Sequence, residues 1–264
     1  MLKNKLLVVA LASSFALPAL ADTAPASPFS ANVSLTTNYL YRGISQSGTK
    51  PAVQGGFDYA GASGLYIGAW GSSISWLSDE YATGAAPAGA MNAGLELDTY
   101  GGYKGTAGAT SYDVGFLRYN YPGNYAPGAT KADTNEIYGA VTYSIVTAKL
   151  SYSLGDLFGV SNAKGSTYID LSANYPIGDS GFTIGAHYGK QKYKGSSADA
   201  LVAAGADPSY ADYRLSVTKD LGTGYSASLT YSKTNASTGA GTFYYIQGND
   251  LGKGVAVVAL SRTF

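Results

Sequence analysis

The catalytic chemistry open to this chain centres on its single histidine, His187. Period-two alternation places His187 on one strand face with Gly185 and Gln191. Asp170 lies one predicted strand earlier, and a histidine beside a carboxylate forms part of a hydrolytic triad. A hydrolase centred on His187 and Asp170 is therefore one hypothesis. No nucleophile motif accompanies the pair, which favours a solvated histidine, and we predict a protein that is not an enzyme and has no catalytic residues.

Missing residue types exclude further chemistry. The chain has no cysteine, which rules out disulfides, thiolate catalysis and zinc sites built on sulfur. One histidine leaves little for histidine-based metal sites. The pairs Gly55-Gly56 and Gly101-Gly102 lead into no predicted helix, so they are not phosphate loops. We predict no cofactor and no metal. Because lysines and arginines form no stripe and the formal net charge is 0, nucleic acid is not an expected partner.

Most of the remaining ionisable side chains occupy alternate positions of the predicted strands, so they share one face. A lysine or arginine facing lipid at mid-membrane costs about 2–4 kcal/mol, which favours an inward orientation in a barrel. Arg118, Lys233 and Arg262 fall on the opposite phase, at strand ends, where that cost is small. Seven acids and four bases on the inner phase predict a slight preference for cations. The candidate lumen-lining residues are Arg42, Asp58, Glu96, Asp98, Lys104, Asp113, Glu136, Lys149, Asp170, His187, Asp212 and Arg214.

The elements that position these side chains are predicted to be strands, because period-two alternation recurs and helical periodicity is absent. Six long polar connections alternate with five short ones, as in transmembrane barrels, and an even strand count returns both termini to one side. The seven tyrosines near predicted strand ends are candidates for aromatic belts: Tyr39, Tyr41, Tyr59, Tyr121, Tyr175, Tyr225 and Tyr231. The predicted strands are 30–41, 51–60, 64–76, 92–104, 109–121, 134–145, 148–155, 166–175, 181–192, 209–219, 223–234 and 253–264.

Composition favours a membrane setting for these strands. Only 13% of residues are charged, against about 25% in soluble domains, and beyond the N-terminal segment no apolar run is long enough for a transmembrane helix. We predict an all-β fold, a transmembrane antiparallel up-and-down β-barrel of about 12 strands. A soluble β-sandwich is the alternative, because its strands show the same alternation.

Both termini carry export features. Residues 1–21 have a basic start, an apolar stretch and a small-x-small site, so we predict a signal peptide cut after Ala21. Residues 22–29 would be a short flexible leader and residues 30–264 the barrel. Phe264 ends the last strand, which would pair back to the first near Ala31. We expect Phe264 to be the assembly signal for the barrel-assembly machinery. Arg262 makes this closing pattern less regular.

Two segments resemble a known family. Residues 38–46, which read Asn-Tyr-Leu-Tyr-Arg-Gly-Ile-Ser-Gln, precede Pro51 and the run Gly-Gly-Phe-Asp-Tyr at 55–59. Residues 112–123 contain Tyr-Asp-Val-Gly and end in Tyr-Pro-Gly, and Glu136 and Tyr138-Gly139 follow. These segments resemble the TorF porin family, most closely over residues 32–140. The resemblance implies an exported outer-membrane barrel that forms a pore, with no established substrate or functional residues.

The predicted function is a porin-like channel for passive diffusion of small hydrophilic solutes or ions. It would lie in outer-membrane lipid of a Gram-negative bacterium, after export by the general secretory route. Twelve strands enclose more space than a filled eight-strand barrel and less than an open porin, and we favour an open pore over a plugged lumen. The alternatives are the barrel hydrolase and a surface-binding barrel with a closed lumen, whose loops 193–208 and 235–252 would bind a partner.

Overall fold

A computed structural model describes residues 27–81 and 92–264. The predicted signal peptide at 1–21, its cut site at Ala21 and residues 22–26 of the predicted leader lie outside the described residues. In chain order the described elements are β1 (Phe29–Thr36), β2 (Leu40–Tyr41), β3 (Ile44–Ser45), β4 (Ala52–Ala60), β5 (Leu65–Ser73), α1 (Trp76–Tyr81), β6 (Leu95–Ala107), β7 (Thr110–Asn120), β8 (Thr134–Tyr143), β9 (Val146–Ser153), β10 (Thr167–Pro176), β11 (Phe182–Lys192), α2 (Ser196–Ala203), β12 (Tyr210–Gly222), β13 (Tyr225–Thr234), β14 (Tyr245–Ile246), β15 (Asn249–Asp250) and β16 (Val255–Thr263).

Within the described ranges, twelve of these strands form one closed antiparallel barrel, which confirms the predicted fold class. The barrel strands are β1, β4 to β13 and β16, and each pairs with its neighbours in chain order. The ring closes where β1 pairs with β16. There the backbone N–H of Phe264 donates to the carbonyl oxygen of Ala31 at 2.9 Å, as predicted. Closure leaves no unpaired edge, and the alternative of two packed sheets is wrong.

The two faces of the barrel wall have opposite character. Outward-facing side chains are large and apolar, and Leu35, Ile67 and Leu215 are 57%, 64% and 62% exposed. Inward-facing positions carry polar, charged and tyrosine side chains, many of them buried. Soluble proteins show the reverse arrangement, with apolar side chains inside. A continuous apolar outer band around a polar interior is the pattern of a transmembrane barrel.

The two ends of the barrel also differ. Short turns and both ends of the described chain lie at one end, which we call the turn end. The described parts of the six long connections lie at the other, which we call the loop end. Buried apolar side chains concentrate inside the loop end, in one cluster with Tyr39, Trp70 and Tyr119 and in another with Leu157 and Tyr193.

The first strand is shorter than predicted. β1 ends at Thr36 rather than at residue 41, and the chain then turns into the barrel interior. The belt assignments of Tyr39, Tyr41 and Tyr121 are therefore wrong, because these side chains are 2%, 8% and 3% exposed inside the barrel. Alternation cannot separate a continuing wall strand from a hairpin that enters the lumen. The other four candidate belt tyrosines are exposed on the outer face: Tyr59, Tyr175, Tyr225 and Tyr231.

Two short helices correct the prediction of a chain without helices. α1 has 6 residues and α2 has 8, fewer than the window over which helical periodicity can be recognised. Leu77 and Ala198, both buried, pack these helices onto the loop-end clusters. None of the helices in the described ranges could cross a membrane. The turn between β8 and β9 lies at Ser144 and Ile145, two residues before its predicted position.

Candidate functional site

The segment after β1 forms a hairpin inside the barrel. We call residues 37–51, which contain β2 and β3, the inner hairpin. Arg42 and Gly43 form its tip with φ values of 47° and 78°, the left-handed pair that a two-residue type I′ turn needs. A Cβ atom at Gly43 would lie 2.7 Å from the Cβ of Asp212 on β12, so only glycine lets the tip approach the wall.

Polar contacts hold the two arms of the inner hairpin together. The hydroxyl of Ser45 donates to the Asn38 side-chain oxygen at 2.7 Å. The backbone N–H of Tyr39 donates to the Ser47 hydroxyl at 3.0 Å, and the N–H of Gln46 donates to the Tyr39 carbonyl at 2.8 Å. These groups are buried, so their pairing avoids the cost of unsatisfied polar atoms. The hairpin is thus built to keep its own shape within the lumen.

Arg42 reaches from the hairpin tip to the wall opposite β1. Its guanidinium donates to Glu136 of β8 at 2.7 Å and to Gln191 of β11 at 2.6 Å. The same group lies over the ring of Tyr168 on β10, 4.2 Å from the ring centroid. The Arg42 side chain is 6% exposed and that of Glu136 is 2% exposed. A charge-assisted, nearly dry contact therefore links the hairpin to the far wall.

Two tyrosines of the inner hairpin also contact the barrel wall. The Tyr39 hydroxyl donates to Glu96 of β6 at 3.0 Å, and its ring meets the edge of Trp70 on β5. The Tyr41 hydroxyl pairs with that of Tyr119 on β7 at 2.5 Å. We call the layer formed by Tyr39, Tyr41 and Arg42 with their wall partners the constriction. Because its side chains are nearly all buried, the lumen is much narrower here than a count of twelve strands indicates.

The structure places the twelve sequence-predicted lumen residues on the inner side of the barrel. Arg42 reaches there from the inner hairpin, and the other eleven project from the wall. Several are brought together, since Lys104 lies 3.9 Å from Asp113 and its ammonium group lies over the Tyr66 ring. Asp58 accepts a hydrogen bond from Tyr100 at 2.6 Å. The Lys149 ammonium lies 4.1 Å from the centroid of the Tyr138 ring.

The outward-phase bases lie where they were expected. Arg118 pairs with Asp133 at 3.2 Å on the outer side of the loop end. The Arg262 guanidinium lies over the rings of Tyr225 and Phe264 near the turn end. Each cation thus sits at an end of the outer surface.

His187 forms an ionic cluster below the constriction. Its Nε2 atom lies 2.8 Å from Asp212, and its Nδ1 atom lies 3.3 Å from Asp170. Because both nitrogens face carboxylates, the site fits a doubly protonated imidazole that donates on both sides. The Tyr168 hydroxyl donates to Asp212 at 2.8 Å, and the Tyr168 ring contacts Arg42. The cluster and the constriction therefore share one continuous network.

The cluster has the composition of a triad without its geometry. Ser172 lies 3.1 Å from His187 Nδ1, but its hydroxyl donates to Asp170 at 2.5 Å. A nucleophilic serine must instead donate to a neutral histidine. Ser172 also sits in mid-strand, paired with Thr147 and His187, which provides no pair of free backbone N–H groups for an oxyanion. The contacts match a structural ionic cluster better than an active site.

An acidic pair lies beside the constriction. Glu96 and Asp98 occupy successive inward positions of β6 and are 1% and 4% exposed. Within the described part of the chain, Glu96 Oε2 and Asp98 Oδ1 have no hydrogen-bond partner. No group of three or more metal-ligating side chains occurs in that part. The two buried carboxyls lie on the wall next to Tyr39.

A cavity of about 500 Å³ lies on the loop side of the constriction. We call it the vestibule. Tyr41, Arg42 and Gln191 belong to its lining, so the constriction closes its inner end. Burial raises the pKa of the Tyr244 hydroxyl well above its ordinary value, and this neutral hydroxyl donates to the Pro208 carbonyl at 2.7 Å. The aromatic lining residues are Tyr41, Trp76, Phe158, Tyr193, Tyr210, Phe243 and Tyr244.

Contacts between loops shape the vestibule. The Gln247 side chain, in the turn between β14 and β15, donates to the Asp79 carbonyl of α1 at 2.9 Å. The Ser161 hydroxyl pairs with the Ser197 hydroxyl of α2 at 2.9 Å. Residues from separate long loops therefore contact one another around the vestibule.

The family of the chain follows from a comparison with family models. Residues 21–264 match the model of Gcw_chp, described as a bacterial protein of unknown function. This chain belongs to the Gcw_chp family. The match spans the whole described barrel, including the inner hairpin and the His187 cluster. A search of curated proteins finds no match.

Solved structures share the fold of this Gcw_chp barrel. A structure of the NanC porin superposes with a TM-score of 0.52 at 9% sequence identity, covering 89% of this chain and 98% of that one. A structure of the KdgM porin gives 0.50 at 8% identity, with the same coverage of both chains. At such low identity these similarities establish the fold alone.

Sequence reasoning missed the loop-end part of the site in this Gcw_chp chain. Alternation predicts Tyr39 and Tyr41 at the outer surface, and no sequence pattern predicts the vestibule. One signal was present, because Phe158, Phe243 and Tyr244 are aromatic residues inside long polar connections. Large apolar side chains in loops usually have something to pack against.

Proposed function

We propose that this Gcw_chp protein is an outer-membrane channel for passive diffusion of small hydrophilic solutes or ions, with its narrowest point at the constriction. A polar, charged interior within an apolar outer wall supports a transmembrane channel. The Arg42–Glu136 contact carries the proposal for the position of the narrowest point, because it joins the inner hairpin to the wall beside the vestibule. The similarity to the porin fold and the TorF resemblance support the same function.

The proposal includes a direction and a location. The protein is exported by the general secretory route and inserted in the outer membrane, with its loop end outside the cell and its turn end in the periplasm. Membrane lipid covers the outer face, and the barrel-assembly machinery recognises the last strand through Phe264. A heat-modifiable band found only in detergent extracts of the outer membrane would support this location. The same protein in the soluble periplasmic fraction would contradict it.

The charges of the interior support a slight cation preference. Arg42 is matched by Glu136, and Lys104 lies near Asp113. Among the described acids of the inner wall, Asp58 forms no salt bridge with a base. The excess of acids would attract cations at the entrance of a low-dielectric channel. Reversal potentials in a salt gradient test this point, and an anion preference would contradict it.

Electrical recording tests the channel itself. The purified barrel, shown to be folded by its heat-modifiable migration, is inserted in a planar lipid bilayer. Stepwise ohmic currents are the expected result. Silent bilayers from folded protein would contradict the proposal and favour a barrel with a closed lumen.

The hydrolase remains the weaker candidate, because Ser172 donates to Asp170 rather than to His187. Absence of lipid or peptide hydrolysis by the folded wild type would agree with a non-enzymatic role. A hydrolytic activity that is abolished by His187→Ala would contradict the non-enzymatic role. Binding at the loop end is the better-supported second candidate, since the vestibule provides a lined space for a ligand.

A further inference from the structure

We infer that the outer wall over β10 to β13 binds a phosphorylated glycolipid, with an acyl chain in a groove and phosphates at lysines near the loop end. The ligand has the chemistry of lipid A, an acylated disaccharide with two phosphates. This site lies outside the barrel, so it is separate from the path through the lumen. The inference rests on the proposed outer-membrane location, which places the loop end in the outer leaflet.

A groove of about 630 Å³ crosses the outer face of these strands, and its exposed lining is almost entirely apolar. The small side chains of Ala173 and Ala186, which are opposite each other in register, belong to the lining. Larger outward side chains stand beside them, including Leu215 and the rings of Tyr188 and Tyr213, which pack 5.4 Å apart. The groove therefore exists before a ligand binds, which lowers the entropy lost on binding.

The groove follows a diagonal row of paired residues across five strands. From β9 to β13 the row consists of Val146, Ala173, Ala186, Leu215 and Tyr231. It begins at the first residue of β9, at the turn end, and finishes three residues before the loop end of β13. Four strand spacings make the row roughly 19 Å long. An acyl chain that enters from the loop end has room to lie along this row into the membrane.

Three exposed lysines lie near the loop end of the groove. Lys233 belongs to the lining and is opposite Tyr213 in register. Lys190 and Lys192 follow Tyr188 on the outer face of β11, two and four residues nearer the loop end. Strand spacing and rise place the Cα atoms of Lys190 and Lys233 roughly 12 Å apart. Because barrel strands tilt by about 35–45°, these two lysines lie at similar depth in the membrane.

The positive charge of these lysines is unmatched. Among the described residues, none of the three forms a salt bridge. Another outward base near the loop end, Arg118, is paired with Asp133. Lysine binds phosphate as a point charge, and clustered bases at a membrane surface attract anionic lipids. The lysines therefore supply the charge complementarity that an apolar groove alone would lack.

The number and spacing of the lysines favour a lipid with two phosphates. Phosphatidylethanolamine carries its own ammonium group beside its phosphate, so its head group has no net charge to offer. Phosphatidylglycerol carries one phosphate, which meets only one or two of the lysines. Lipid A carries a phosphate at each end of its disaccharide and several acyl chains, so it can contact separated lysines and the groove together.

Native mass spectrometry of the folded barrel in detergent measures lipid binding directly. The probes are lipid A, its monophosphorylated form with the same acyl chains, and phosphatidylglycerol. We expect a one-to-one complex with lipid A and binding of each other lipid that is weaker by at least about fivefold, the effect of one lost charge contact. Absence of the complex, or equal affinity for the three lipids, would overturn the inference.

Substitution of the lysines tests the phosphate contacts. Lys190→Gln and Lys233→Gln should each weaken lipid A binding about fivefold. Lys219→Gln is the matched control, because Lys219 is an outward lysine opposite Phe182 near the turn end. Heat-modifiable migration shows that each variant is folded. Wild-type affinity in both lysine variants, or equal weakening in the control, would overturn the inference.

Substitution of the groove tests the acyl-chain contact. Ala186→Phe places a ring in the groove without changing the lumen, and it should weaken lipid A binding at least about tenfold. Ala69→Phe is the matched control, because Ala69 lies opposite Phe57 on the outer face of β5, away from the groove. Equal affinity of the two folded variants for lipid A would overturn the inference.

Binding and conductance can fail separately. Lipid binding in detergent requires neither an open lumen nor a particular cell compartment. Selective lipid A binding with silent bilayers would refute the channel alone. Ohmic current steps from a barrel without selective lipid A binding would refute the lipid site and leave the channel standing.

Discussion

The guanidinium of Arg42 lies 2.7 Å from the carboxylate of Glu136, and this contact links the inner hairpin to the barrel wall. Arg42 belongs to a hairpin that enters the lumen after β1, whereas Glu136 belongs to the wall strand β8. Both side chains are almost completely buried. This contact joins hairpin and wall within the constriction.

The pair should be strongly coupled in stability. Removing one partner of a buried salt bridge leaves an uncompensated charge, which costs about 3–5 kcal/mol. We expect Arg42→Gln and Glu136→Gln each to lower the free energy of unfolding in urea by about this amount. The double variant should lose much less than the sum. Additive losses would show that the two groups are independent.

A glycine beside the network should not tolerate a methyl group. A Cβ atom at Gly189 would overlap the Tyr168 hydroxyl and the Asp212 carboxylate, so Gly189→Ala must displace Tyr168 from beneath Arg42. Overpacking of this kind costs about 1–3 kcal/mol, measured as a loss in the free energy of unfolding. Gly139→Ala is the matched control, because its Cβ would meet only Val114 at 3.9 Å. Equal stability of the two variants would contradict the packing described.

Phe264 should act in assembly more than in stability. Its backbone N–H bonds to Ala31, and its exposed ring needs no partner within the barrel. We expect Phe264→Ala to reduce the amount of heat-modifiable protein in the outer membrane of cells, with unchanged refolding into lipid vesicles in vitro. Phe182→Ala, which removes another outward phenylalanine, should leave both measurements unchanged. Normal levels of Phe264→Ala in cells would rule out the assembly role.

His187 should stabilise the acidic cluster rather than catalyse a reaction. His187→Gln keeps one donor but loses the second, so either Asp170 or Asp212 keeps only its hydrogen bond from Ser172 or from Tyr168. Loss of a hydrogen bond to a charged group costs about 1.5–3 kcal/mol, which should appear in urea unfolding. The cation preference of the channel should also rise, because a positive group is lost. An unchanged unfolding midpoint and unchanged reversal potential would contradict this role.

The wall of the barrel could be predicted from the sequence because alternation reports directly on the two faces of a strand. Residues 166–175 illustrate this, since Ile169 and Leu171 face outward and Asp170 and Ser172 face inward. The order of the twelve strands followed from the spacing of turns and long loops. The alternation of side chains also predicts that charged residues such as Asp113 and Asp212 face inward.

The constriction and the vestibule could not be predicted in this way. Tyr39 and Tyr41 continue the alternation of β1, yet the chain leaves the wall at Thr36 because the hairpin gains partners across the lumen. These partners are far away in sequence, as with Arg42 and Gln191, and no local pattern encodes them. The helices α1 and α2 depend on the same long-range packing. Pairings of this kind become visible only in the folded barrel.

Single-channel conductance of Arg42→Ala tests the central claim most directly. The substitution removes the group that joins the inner hairpin to Glu136 and Gln191, so the constriction should widen and lose a fixed positive charge. We predict larger current steps and a stronger cation preference than in the wild type. Arg118→Ala, which removes an arginine from the outer side, should leave both unchanged. Wild-type conductance and selectivity in Arg42→Ala would contradict the account, because the contact with Glu136 would then not limit the path.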